Sequence, residues 1–258
     1  MNDLIALTPP NSLPDTEAEL DRLAVRYRAA GGLGVQILNV VGGKAETLLD
    51  RLPAPVKSRL GEATERALKL AMRAALTSRR AVPDQADWLN RAMSTAMGAA
   101  GGFGGLPSAL LELPATTTVL LRIIQGVAAE HGFDPTAENV QFDCIRVFAA
   151  AGPLAMDDGA DLGFLTLRMT LTGGAMQKMV ATVAPKLAIV LGQKLAAQTV
   201  PVLGAVAGAT VNYVYSGYYR EMAQVHFGLR RLAIDAQIDH EELVKQLATR
   251  MRQPIAKM

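Results

Sequence analysis

Gly98-Ala99-Ala100-Gly101-Gly102-Phe103-Gly104-Gly105-Leu106-Pro107, with the apolar run that follows it as far as His131-Gly132-Phe133-Asp134-Pro135, decides how this chain is read. A helix that carries glycine at i and i+4 offers a flat strip of backbone, which a second helix can approach closely. Gly98 with Gly102, and Gly101 with Gly105, have that spacing. Gly204 with Gly208 repeats it in Val202-Leu203-Gly204-Ala205-Val206-Ala207-Gly208-Ala209. The two strips are therefore expected to be buried and to pack on each other. The competing reading of the first strip is a broken helix or loop, because each interior glycine costs about 1 kcal/mol of helix propensity relative to alanine.

Working outward from the strips, the hydrophobic period is helical throughout. Residues 1 to 13 read as a flexible lead, and residues 14 to 252 as one large all-helical domain. Pro14-Asp15-Thr16-Glu17 has the proline and acidic residues of a helix start. The first helix is expected to close at Gly31-Gly32, and a second to cover Leu33 to Leu52 before Pro53 and Pro55. From Val56 to Thr77 an apolar stripe faces a run of charges that reads as a solvated face. Pro83-Asp84 opens a helix carrying the only tryptophan, Trp88, which reads as a core or rim residue. Leu106 to Ala129 forms the central apolar helix, with a break expected at Pro114. In His131-Gly132-Phe133-Asp134-Pro135, Gly132 suits a left-handed C-cap, Asp134 an N-cap and Pro135 the first helical position. Further breaks are expected at Gly173-Gly174 and Pro185. Lys178, Lys186 and Lys194 recur every eight residues and drift around one helix face. Arg220 to Arg252 reads as one or two amphipathic surface helices. With no alternating strands bounded by hairpin turns, the fold class is all-α, a single multi-helix domain with Gly/Ala-rich buried helices.

Composition excludes several functions. The 26 basic and 24 acidic residues leave a net charge of +2 and are interspersed, so no nucleic-acid partner is expected. One cysteine, Cys144, excludes an intramolecular disulfide and a cysteine zinc cage, and fits a reducing, cytoplasmic setting. The first fifteen residues contain Asp3, three prolines and no Lys or Arg, unlike a secretory leader. Ala92 to Leu111 and Leu195 to Tyr219 are uncharged and long enough to cross a bilayer. Their dilution by Gly, Ala, Thr, Ser and Pro reads better as helices buried all round in a soluble core.

Chemistry is sparse. Met156-Asp157-Asp158-Gly159-Ala160-Asp161 places three carboxylates together, but a polar turn in which Asp161 caps the next helix uses the same residues, and no metal or other cofactor is expected. An enzyme would have to use Cys144 with His131 or His226, or carboxylates among Glu112, Asp134 and Asp161, none of which sits in a recognisable motif. Glu112 and Arg122 are the only charges between Arg91 and Glu130, and a charge in so apolar a run is paired, exposed at an end, or functional. Phe103, Leu106, Glu112, Arg122, Asn212 and Tyr213, drawn from the two strips and the helix between them, are the candidate ligand-binding residues. Eleven methionines suit an adaptable apolar interior that receives a lipid or fatty-acid-like chain. Tyr213, Tyr215, Tyr218 and Tyr219, beside Arg220 and a tail holding Arg230, Arg231, Lys245, Arg250 and Arg252, suit the headgroup level of a membrane or else the cover of a core.

The order and spacing of Gly101-Gly102-Phe103-Gly104-Gly105-Leu106-Pro107, Leu113-Pro114-Ala115, Arg122, the His131 to Pro135 motif, Gly204 to Tyr213 and Arg230-Arg231-Leu232 resemble the EcsC protein family, over about Pro53 to Leu232. Thr116 stands where members of that family commonly carry an acidic residue after Leu-Pro-Ala. The resemblance implies a bacterial, mostly helical protein from a family named after an operon that also encodes an ABC transporter. The expectation is thus a non-catalytic protein, peripheral on the inner face of the cell membrane or binding an apolar ligand, with a lipid surface or a membrane protein as partner. The alternatives are a hydrolase of unknown type and a structural scaffold acting with a transporter. Oligomeric state is not legible.

Overall fold

The computed structural model describes residues 15–41, 49–81, 92–99, 105–150, 162–166, 174–198 and 204–251. All regular structure among them is helical. In chain order it comprises α1 (Thr16–Val41), a short 3-10 turn (Leu49–Arg51), α2 (Ala54–Ala81), α3 (92–99) and α4 (Gly105–Glu130). The rest comprises α5 (Glu138–Val147), α6 (Gly163–Thr166), α7 (Ala175–Gln198), α8 (Gly204–Ala236) and α9 (His240–Met251).

The spine is α8, whose 33 residues extend about 50 Å at 1.5 Å per residue. It is buried on most sides because every third or fourth residue is large and apolar: Val211, Val214, Tyr215, Tyr218, Met222, Val225 and Leu229 are all closed to solvent. Antiparallel to it lies α1, with Leu23 against Gly228 and Arg26 paired to Glu221 at 2.9 Å. Parallel to it runs α4, which meets Asn212 through Glu112 near one end and reaches Arg220 and Gln224 through Glu130 near the other. Helix α9 folds back onto α1, where Arg250 pairs with Glu17 and, at 3.1 Å, with Asp21. Edge-on contacts of Tyr219 with Phe148 (5.1 Å between centroids) and Tyr218 (5.2 Å) fill the middle of one continuous hydrophobic core.

Asp15 accepts from the Ala18 amide at 3.2 Å, as an N-cap should. Several expected boundaries move. Helix α1 continues through Gly31-Gly32 to Val41. Both α4 and α7 pass through their prolines, Pro114 and Pro185, without ending. Tertiary packing along these helices outweighs the local loss at proline, and the Thr117 and Thr118 hydroxyls bond back to the carbonyls of Leu113 and Pro114 at 2.7 Å. Gly132 is left-handed, φ +77°, as the C-cap reading expects. Asp134, however, does not cap α5. Its carboxylate accepts from the Thr136 amide at 2.9 Å in a local turn, and the helix begins at Glu138 after an Ala137 without a side-chain cap. Arg220 to Ala236 is not a surface helix but the second half of α8. The residues 1 to 13, Trp88, Phe103 and the carboxylates Asp157, Asp158 and Asp161 lie outside the described residues.

The glycine strips meet where they are described. Gly98 and Gly208 are both buried. A Cβ placed on Gly98 would stand 2.1 Å from the Gly208 carbonyl oxygen and 2.8 Å from Cγ of Asn212. Two backbones this close leave no room for any side chain.

The two uncharged segments are not single helices: the described residues of each belong to two, α3 with α4 and α7 with α8. Among the described residues, two helical stretches are long and apolar enough to cross a membrane, Leu110–Glu130 and Ala175–Ala196, with 50% and 72% of their apolar windows buried inside the protein. Nor are the segments buried all round. Met93, Leu111, Val206 and Tyr213 are 48%, 84%, 61% and 44% exposed. The other three tyrosines of the cluster, Tyr215, Tyr218 and Tyr219, are core residues.

Candidate functional site

Four helices meet in a polar network centred on the Glu112 carboxylate. Lys194 of α7 donates to Glu112 Oε1 at 3.0 Å, Asn212 of α8 donates to the same oxygen at 3.0 Å, and Thr116, one turn further along α4, donates to it as well. The Lys194 ammonium donates a second bond to Thr116 Oγ1 at 2.9 Å. From α3, the Ser94 carbonyl accepts from Asn212 Nδ2 at 2.7 Å, and the Ser94 hydroxyl accepts from Ser216 at 2.7 Å. The Asn212 amide nitrogen thus faces two acceptors, which fixes its orientation, since the flipped amide would set oxygen against oxygen.

The side chain of Lys194 is wholly buried and that of Glu112 is 8% exposed. Burial works to raise the Glu112 carboxyl's pKa, but the Lys194 charge and the hydrogen bonds from Thr116, Asn212 and Lys194 outweigh it and hold the group below its usual value. Burial pushes Lys194 down, opposed by the carboxylate it touches. Glu112 Oε2 and Asn212 Oδ1 accept no hydrogen bond. A closed ion pair whose partners lie on three helices is a fastener rather than a reaction centre, since no substrate can reach the lysine.

Of the six candidate residues, the structure brings together Glu112 and Asn212. Tyr213, next to Asn212, points outward, and Leu106 lies in the first turn of α4. Arg122 is half-buried ten residues along α4 from Glu112, roughly 15 Å by helical rise, so the two do not share a site. Sequence reasoning noted Lys194 only for its eight-residue spacing from Lys178 and Lys186 and missed it as a member of the network. A lysine inside Val190-Leu191-Gly192-Gln193-Lys194-Leu195-Ala196 was the available signal, because a charge in an apolar helix needs a partner.

The residues that could serve an enzyme are dispersed. Cys144 is fully buried and turned toward Met72, Leu121 and Gln125. His131 Nε2 lies 2.8 Å from Gln224 Oε1 beside Glu130, and His226 lies against Asp143 at 3.3 Å. Asp143 and His226 line an open groove on another side of α5, and no serine, threonine or cysteine lies among its described lining residues. No group of three or more metal-ligating side chains occurs among the described residues.

No curated protein and no solved structure matches the chain. The EcsC protein family model matches residues 44–232, most of the sequence and every residue of the Glu112 network, and the chain belongs to the EcsC family.

Proposed function

We propose that this protein is a non-catalytic member of its family that works at the inner surface of the cell membrane, touching lipid with the end of the bundle that carries Met93, Leu111, Val206 and Tyr213. The observation that carries this reading is where these side chains fall. Met93, Leu111 and Tyr213 each directly precede or follow a member of the buried network, Ser94, Glu112 and Asn212, so the network holds the helices that present them. Val206 and Tyr213 are seven residues apart on α8 and share a face. Isolated exposed apolar residues need no explanation, but a group of them around one tyrosine fits the boundary of a bilayer.

Three of the five basic residues of the tail are already paired within the chain. Arg230 is engaged by Asp143, Arg231 by Asp235 at 2.6 Å, and Arg250 by Glu17 and Asp21. Adhesion by this end is therefore apolar and only weakly sensitive to salt. In flotation with zwitterionic vesicles, the full chain is expected to float at low and high salt alike. The triple variant Leu111→Ser, Val206→Ser, Tyr213→Ser is expected to stay at the bottom with an unchanged melting curve. A wild-type chain that floats only with anionic vesicles at low salt, or a triple variant that still floats, would refute apolar docking by this end.

A further inference from the structure

About 20 Å further along α8 from Asn212, by helical rise, α5, α8 and α9 enclose a groove of about 490 Å³ that the preceding reading does not use. Its lining includes the apolar Phe142, Ala233 and Ile234 and the charged or titratable Asp143, Arg146, His226, Arg230 and His240. Asp143 holds both guanidinium groups, Arg230 in direct contact and Arg146 at 3.5 Å, and faces His226 Nε2 at 3.3 Å. Arg230 also lies over the Phe133 ring, 4.4 Å from its centroid. Among the described lining residues, two guanidinium charges stand against one carboxylate, which leaves one positive charge over. Four buried nitrogens of that lining have no hydrogen-bond partner, Arg146 Nε, both ring nitrogens of His226, and His240 Nδ1. Unpaired polar groups and an unbalanced buried cation cost stability unless a further group completes them.

We propose that this groove binds the oxyanion head, phosphate or carboxylate, of a small amphipathic molecule whose apolar part lies along Phe142, Ala233 and Ile234. The Arg146 and Arg230 side chains, 17% and 24% exposed, supply the donors that meet the head. The volume is in the range of small-molecule sites, and the apolar residues beside the arginines are of the kind that hold a short chain or ring.

Proton uptake accompanies binding. Among the described residues, the charged and titratable groups lining the groove are Asp143 and Arg146 from α5, His226 and Arg230 from α8, and His240 from α9. The short α6 contributes the Leu165 carbonyl, which accepts from His240 Nε2 at 3.3 Å, and the Phe164 ring near His226. With Nε2 of His240 donating to that carbonyl, its Nδ1 carries a lone pair. Burial, together with the arginine charges, keeps both rings below their usual basicity. An anion seated between the arginines offsets their charge, so the rings regain basicity and a proton can sit on Nδ1 facing the head.

Calorimetry on the full chain tests this with inorganic phosphate, octyl phosphate and octanoate. Octyl phosphate and octanoate are expected to bind at least about tenfold tighter than inorganic phosphate, with net proton uptake at about pH 6 when buffers of different ionisation heat are compared. Arg230→Gln is expected to weaken octyl phosphate by about tenfold or more. Because Arg230 also contacts Asp143 and could affect folding, Ile234→Glu serves as the second variant. Its side chain is 54% exposed, and a carboxylate there repels the ligand without touching the core. It is expected to abolish binding while leaving the melting curve intact. The proposal is overturned if no anion binds at about 10 mM, if Ile234→Glu binds like the wild type, or if inorganic phosphate binds as well as octyl phosphate. The last outcome would indicate a free oxyanion site without an apolar subsite. None of these results depends on the lipid-facing residues, so this test and the flotation test fail independently.

Discussion

Lys194 shows what one side chain can decide. Its ammonium is closed from water and satisfied only by Glu112 and Thr116, so removing it strands a buried carboxylate with Asn212 and Thr116 as its remaining donors. Lys194→Met is expected to lower the unfolding free energy by about 3–5 kcal/mol in chemical denaturation, whereas Glu112→Leu with Lys194→Met is expected to recover much of that loss, because the apolar pair leaves no orphan charge. Equal losses in the single and double variants would show that packing volume, not charge, holds the joint. Thr116 belongs to the same joint, since its hydroxyl accepts from Lys194 and donates to Glu112.

At the scale of elements, glycines of similar sequence context have opposite roles, and a contrast between two of them tests the helix contact. Gly98 lies against the Gly208 backbone, where a Cβ would meet a carbonyl oxygen at 2.1 Å, while a Cβ on Gly126 of α4 would meet nothing within 4 Å. Gly98→Ala is expected to destabilise by about 1–3 kcal/mol, because backbone cannot yield as a side chain can. Gly126→Ala is expected to stabilise by about 0.4–1 kcal/mol through helix propensity and a less flexible unfolded chain. Thermal melts of the two variants should therefore move in opposite directions, and movement in the same direction would contradict the α3–α8 contact. Helices α4 and α7 make the complementary point about proline, since each passes through one as part of the shared core.

For the whole molecule, the groove ties stability to pH. Burial, with the charges near it, lowers His240 to about pH 4 in the folded protein, against 6.5 when exposed. Unfolding then takes up a proton between those values, so stability is full above about pH 6.5 and falls as the pH drops toward 4. The loss from His240 is on the order of 3 kcal/mol at most, less to the extent that water reaches the ring. His226, also lowered by burial, adds in the same direction. Asp143 is held at about 2, because His226 when protonated and the two arginines outweigh the effect of burial, so its contribution is lost only below its ordinary value of 3.8. The melting temperature is expected to fall steadily from pH 6.5 to pH 4, and less steeply in His240→Gln. A flat profile across that window would contradict the buried neutral histidines.

How much was legible from the residues follows from the range of the forces involved. Helical period, the cap at Asp15, the left-handed Gly132 and the close approach of the two glycine strips are set by neighbours within a turn or by the absence of a side chain, and the sequence by itself determined them. It likewise marked Glu112 as a charge that is paired, exposed or functional, and Asn212 as a candidate binding residue. Only the tertiary structure decided that the partner of Glu112 is Lys194, 82 positions away, rather than Arg122 on its own helix. It also decided that Tyr215, Tyr218 and Tyr219 form the core while Tyr213 faces outward, and that Asp143, Arg146, His226, Arg230 and His240 share one groove. Pairing across helices depends on which faces the fold brings together, and a period of 3.6 residues specifies a face without specifying what it will meet.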